Sequence, residues 1–201
     1  KGVGPVLAHP FDTAERIRGL EPFEPRDRLG FVLETIRILR ERIDVPVIGF
    51  VGAPFTLMTY MVESPRSKER EGTKAFMWRE PELWDELMSY WAEHLLAFAL
   101  AQAEAGAAAI QLFDSWAGCL SPDDYRAHVL RYSQRILAGL KDAGVLSIHF
   151  ATGNPALLPL LAEAGGDAIG LDWRVDIGEA RALLGPDRAV AGRERRVVVV
   201  G

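Results

Sequence analysis

Val47-Ile48-Gly49-Phe50-Val51, then Gly52-Ala53-Pro54, then Phe55-Thr56-Leu57-Met58-Thr59-Tyr60-Met61, is the stretch that decides the fold. A β-branched run without alternation reads as a strand buried on both faces, as in a parallel sheet covered by helices. The Gly-Ala-Pro turn, with proline at the head of the next apolar segment, reads as a direct passage into a helix. The unit is therefore strand, tight turn, helix, and the fold depends on whether it recurs.

On the N-terminal side, a helix is expected from about Arg26 to Arg42, with Val32, Ile36, Leu39 and Ile43 spaced along one face. Val45-Pro46 ends it. On the C-terminal side, the polar stretch from Glu63 to Glu71 reads as an exposed loop before a helix holding Thr73 to Arg79. Glu80-Pro81 then opens a long helix to about Ala105, whose Trp84, Leu87, Met88, Trp91, Leu95, Phe98 and Gln102 share a face.

Further strands are predicted at Ala108–Phe113, Val145–Phe150, Ala168–Leu171 and Ala189–Ala191, and helices at Pro122 to Lys141, Asn154 to Ala164 and Ile177 to Leu184. Ser121-Pro122-Asp123-Asp124 is a strong helix start: a capping hydroxyl, proline in the first turn, and two acids at the positive end of the helix dipole. Strands alternating with helices, without hairpin signals, imply a parallel sheet with right-handed crossovers. That leaves a doubly wound sheet or a (β/α)8 barrel. No G-x-G-x-x-G follows the first strand and no Walker A sequence occurs, which removes the usual signs of an open nucleotide-binding sheet. Five strands in 201 residues are too few for a complete barrel of about 250 residues, so the expectation is a partial (β/α)8 TIM barrel with outer helices.

Composition narrows the function. Lys and Arg number 23 against 28 Asp and Glu, a net charge of −5, without an extended basic run. A phosphate-tracking nucleic-acid surface is disfavoured. Apolar stretches are too short for a bilayer, so no membrane partner is expected. Cys119 is the only cysteine, which excludes an internal disulfide and points to a reducing, cytoplasmic compartment.

In a barrel the residues just after each strand build the site. Those positions hold Gly52-Ala53-Pro54, Asp114-Ser115 and Asp172-Trp173-Arg174. Asp114-Ser115 offers a carboxylate and a hydroxyl, with a capping turn as the competing reading. Tyr60 offers a phenol, with a packed core tyrosine as its alternative. Asp172 and Arg174 read first as a structural ion pair with a packed Trp173 between them. His94 and His128 read as partly exposed helical residues and His149 as a packed strand residue. There is no H-E-x-x-H and no His-x-Cys pair, so no metal site is expected. Cys119 has no neighbouring histidine to activate it.

Three of these stretches, Gly49 to Glu63, Gln111 to Gly118 and Gly170 to Trp173, resemble uroporphyrinogen decarboxylases in order and spacing. The resemblance runs from Gly4-Pro5-Val6 to about Gly192. It implies a (β/α)8 barrel, homodimeric when full length, that removes carbon dioxide from the acetate side chains of uroporphyrinogen to give coproporphyrinogen in haem biosynthesis, without metal or organic cofactor. Carried over by position, Tyr60 and Ser115 match residues that hydrogen-bond substrate carboxylates, and Phe113 matches a wall of the cleft. The family's arginine-rich loop, its pyrrole-binding aspartate and its late histidine have no counterpart between Lys1 and Gly201, so no catalytic residue is assigned to this chain and the chain alone is expected to be inactive.

Residues 1–192 are thus expected to form an incomplete decarboxylase-like barrel. Residues 193–201 depart from the family: Arg193-Glu194-Arg195-Arg196 leads into a valine run and Gly201, a pattern like the first strand of a fused dinucleotide-binding domain, with a frayed tail or a sixth strand as its alternative. Two other functions compete. One is a cobalamin-dependent methyltransferase barrel, which depends on zinc and would want the His-x-Cys pair. The other is an inactive module that binds a tetrapyrrole or a partner chain.

Overall fold

The computed structural model describes residues 7, 9–63, 69–186 and 188–192. The N-terminal Gly4-Pro5-Val6, Ser64 to Ser67 of the polar loop, and the Arg193 to Gly201 tail lie outside the described residues.

The order of elements is α1 (Ala14–Arg18), α2 (Pro25–Arg28), α3 (Gly30–Arg42), β1 (Ile48–Gly52), α4 (Pro54–Val62), α5 (Glu71–Arg79), α6 (Pro81–Glu104), β2 (Ala109–Asp114), α7 (Pro122–His128), α8 (Leu130–Asp142), β3 (Ser147–Ala151), α9 (Leu158–Ala164), β4 (Ala168–Gly170), α10 (Ile177–Leu184) and β5 (Ala189–Ala191). The strands form one parallel sheet in chain order, β1-β2-β3-β4-β5. No strand is reordered about a switch point, so the sheet is a partial barrel wall and not a doubly wound sheet.

Three expectations are corrected. The strands are not buried on both faces. Val51, Ile110, Leu112 and Ile169 point into the helical layer, whereas Ile48 and Phe50 on the other face are 52% and 64% exposed. Among the described residues no element covers Ile48 and Phe50, so that face of the sheet is open to solvent. Two expected helices are each broken in two, at Leu29 (φ −120°, ψ 21°) and Val129 (φ −127°, ψ −45°). In α3 the covered stripe is Leu33 and Ile36, which meet Ala101 of α6 and Ala105 at its C-cap. Leu39 and Ile43 remain exposed, so the contact with α6 is made by the first half of the helix alone.

The main core lies between the helix-facing side of the sheet and α4 to α9, with Phe55, Met58, Trp84, Leu87, Met88, Ile110, Leu112, Tyr125 and Ile136 at its centre. His94, expected to be partly exposed, is buried and stacks between Phe23 and Tyr90. Gly49 is required by close approach, because a Cβ there would stand 2.7 Å from Gln102 Oε1 and 2.8 Å from Ile110 Cδ1. That space lets the Gln102 amide reach β1: the Phe50 N–H donates to Gln102 Oε1 (3.1 Å) and Gln102 Nε2 donates to the Phe50 carbonyl (3.0 Å). One side chain thus does the work of a neighbouring strand at that edge.

Candidate functional site

The loops after β1, β2, β3 and β4 open at one end of the sheet, the end where barrel enzymes place their sites. Helix α4 starts two residues after β1 and carries Thr56 and Tyr60 one turn apart on the same face. Both reach the turn after β2. Thr56 Oγ1 donates to Asp114 Oδ1 (3.0 Å) and accepts the Trp116 backbone N–H (3.3 Å). Trp116 Nε1 donates to the Tyr60 phenol oxygen (3.0 Å), with the rings edge to face at 6.4 Å. Two successive turns of α4 are thereby fastened to the segment that contains Ser115. Tyr60 remains 41% exposed.

The loops are also fastened sideways. Thr152, just after β3, donates its hydroxyl to the Ser115 carbonyl (3.2 Å). Gly118 lies against the Thr152 carbonyl so closely that a Cβ would be 2.0 Å away. The Gly153 N–H donates to Asp172 Oδ2 (2.8 Å), and Asp172 also accepts the Arg174 backbone N–H (2.8 Å) and guanidinium (2.7 Å). Burial works to raise the Asp172 carboxyl, but the Gly153 and Arg174 amides and the Arg174 charge hold it below the usual range. The expected ion pair is present. The expected packing of Trp173 is not: its indole is 82% exposed and meets Arg174 at 4.5 Å.

Phe113 projects onto the open face, edge to face with Phe50 (5.8 Å) on one side and Phe150 (5.4 Å) on the other. The three rings line the open face across β1, β2 and β3. A phenol and a serine hydroxyl at the strand ends, beside an aromatic surface, suit a ligand with apolar rings and carboxylate arms. Among the described residues no cluster of three His, Cys, Asp or Glu side chains is placed to hold a metal. Burial pushes the Cys119 thiol up, away from a reactive thiolate.

Sequence reasoning placed Tyr60, Phe113, Ser115 and Asp172 at this end of the sheet. It missed Arg70, assigned to an exposed loop. Arg70 is buried, 1% exposed, with its guanidinium 3.6 Å from the Trp116 ring and 5.8 Å from the Tyr60 ring. It also missed Glu63, which accepts from the Thr73 N–H and hydroxyl and holds the start of α5.

The family model described as Uroporphyrinogen decarboxylase (URO-D) matches residues 1–201. This chain belongs to the uroporphyrinogen decarboxylase family. A relative described as uroporphyrinogen decarboxylase from Nocardia farcinica is 47% identical over 192 residues, 95% of this chain and 54% of its own length. One from Syntrophotalea carbinolica is 46% identical over 199 residues, 98% of this chain and 58% of its own length. The chain thus spans a little over half the length of these uroporphyrinogen decarboxylase relatives. Among solved structures, a B12-independent methionine synthase from Shewanella sp. W3-18-1 superposes with a TM-score of 0.53 at 18% identity, covering 80% of this chain and 48% of that one. At that identity the likeness concerns the fold alone. No helix among the described residues is long and apolar enough to cross a membrane.

Proposed function

We propose that this chain forms part of the active-site wall of an enzyme that decarboxylates the acetate side chains of uroporphyrinogen to give coproporphyrinogen. The observation that carries this reading is the family match across residues 1–201. In this reading Tyr60 and Ser115 donate hydrogen bonds to substrate carboxylates, and Phe113, with Phe50 and Phe150 beside it, lies along the pyrrole rings.

The chemistry makes modest demands on the wall. A proton added to a pyrrole carbon turns the ring into an electron sink. The electron pair of the breaking carbon–carbon bond flows into the ring, carbon dioxide leaves, and a proton delivered to the exposed methylene carbon completes the methyl group as the ring gives up the first proton. The groups that move those protons are not assigned to this chain. Its residues bind, orient and exclude water. Residues 1–192 act as the barrel wall, and the whole enzyme works as a homodimer.

The 201-residue chain alone should be inactive, because its inner face is open and Phe50 is exposed where a closed cleft would cover it. The test is conversion of uroporphyrinogen by a full-length enzyme carrying this sequence, followed by chromatography of the oxidised porphyrins. Coproporphyrin from the full-length enzyme and none from the 201-residue chain is the expected result. Absence of conversion by the full-length enzyme would overturn the reading.

A further inference from the structure

A phenol can accept hydrogen bonds and can donate one, whereas an indole N–H only donates. Trp116 Nε1 donates to the Tyr60 oxygen at 3.0 Å, so the Tyr60 proton must point elsewhere. Among the described residues no side chain or carbonyl takes it. A phenol whose oxygen already accepts a hydrogen bond and whose proton no described residue takes is a donor available to an anionic ligand.

Trp116 is in turn held by Arg70. The Arg70 guanidinium carbon stands 3.6 Å from the indole centroid, well inside the range of a cation–π contact. Arg70 is also the one non-glycine residue with positive φ (53°) among the described residues, and its Nε and Nη1 have no hydrogen-bond partner. A buried arginine with idle N–H groups on a left-handed backbone is unfavourable in itself, and stacking on Trp116 compensates for part of that cost. A cation over the ring withdraws electron density from the indole and makes its N–H a stronger donor to Tyr60.

We propose that Arg70 and Trp116 are positioning residues for Tyr60: Arg70 fixes and polarises the indole, the indole occupies the acceptor side of the phenol, and Tyr60 meets a substrate carboxylate as a donor. This rests on the reading of Tyr60 as a carboxylate contact, and one arm of the test needs no substrate.

In that arm the Trp116 indole N–H resonance of the 201-residue chain is followed by NMR. Both Tyr60→Phe and Arg70→Met should move it upfield, since one removes the acceptor and the other the polarising charge. A resonance unmoved by either change overturns the relay, whatever the enzyme acts on. In the second arm, uroporphyrinogen kinetics are measured in a full-length enzyme carrying this sequence. Trp116→Phe and Arg70→Met should each raise KM about threefold to tenfold, the loss of roughly one hydrogen bond's orientation, with kcat little changed. The double variant should be no worse than either single one, because both act through one hydroxyl. Arg70→Lys, which keeps a cation at the indole, should recover most of the effect. A merely structural role would lower stability and leave KM unmoved, and multiplying effects in the double variant would equally overturn the proposal. If Trp116→Phe fails to fold, the two Arg70 variants decide between these outcomes. Loss of all conversion in the parent enzyme, with the NMR shifts as expected, would refute the functional reading and leave the relay standing.

Discussion

Asp114 on β2 and His149 on β3 stand on the same helix-covered face of adjacent strands, His149 level with Leu112 and offset by two residues from Asp114. Their titrations are displaced in opposite directions. Burial pushes the Asp114 carboxyl up to about 7, with the Thr56 and Tyr125 hydroxyls opposing the shift, although its Oδ2 completes no hydrogen bond of good geometry. Burial takes His149 down to about 4, opposed by the Leu161 carbonyl, which meets Nδ1 at 3.2 Å. Both side chains therefore sit uncharged inside the fold across mildly acidic pH.

Their effects on stability cancel. A carboxyl raised by folding stabilises fully below its unfolded value, and that contribution is lost as pH rises to about 7. A histidine lowered by folding does the reverse, losing stability as pH falls from its unfolded value toward about 4. Between pH 4 and 6.5 the slopes oppose each other, each at most about 1.4 kcal/mol per pH unit. Urea unfolding of the parent should be nearly flat with pH in that window. Asp114→Asn should become acid-sensitive there, and His149→Leu should lose stability as pH rises. Parallel pH profiles for parent and both variants would show that neither group is buried as described.

Removing the Gln102 amide isolates two backbone groups at once. Gln102→Leu should lower stability by about 1–3 kcal/mol, seen as a lower urea midpoint with unchanged slope. An unmoved midpoint would mean that water serves the Phe50 edge equally well.

Gly118→Ala tests the contact between neighbouring loops. The added methyl would lie 2.0 Å from the Thr152 carbonyl, a backbone atom that cannot swing aside, so the β2 and β3 loops must separate. A lowered melting temperature and displaced amide resonances at Ser115 and Thr152 are expected. Wild-type stability with unshifted resonances would contradict the contact.

For the site itself, Tyr60→Phe in a full-length enzyme carrying this sequence should weaken uroporphyrinogen binding by roughly 1.5–3 kcal/mol, the value of a hydrogen bond to a charged group. Ser115→Ala should have a smaller effect in the same direction. An unchanged dissociation constant for Tyr60→Phe would leave the tyrosine a packing residue.

The sheet was legible because each strand announces itself locally: β5 was placed at its observed bounds, and the others within about two residues at each end. The helix breaks at Leu29 and Val129 were not: Val129 has no proline or glycine beside it, and Gly30, next to Leu29, was read as part of one continuous helix. The open inner face escaped for a different reason, because whether Phe50 is covered depends on chain that lies opposite and not on its neighbours. The placement of Tyr60, Phe113 and Ser115 near the ends of β1 and β2 was legible from the alternation of strands and helices, and their proposed roles come from the family resemblance alone. Arg70 was not, because its partner Trp116 is 46 positions away and nothing around Arg70 distinguishes a buried arginine from a solvated one.

Ser115, Gly118, Thr152, Gly153 and Asp172 join three successive loops edge to edge by hydrogen bonds and by one contact that admits no side chain. Loops tied in this way cannot be ordered one at a time by an arriving ligand. The conformational freedom that separate loops would surrender on association is given up when the chain folds, so that a ligand at this rim loses chiefly its own freedom.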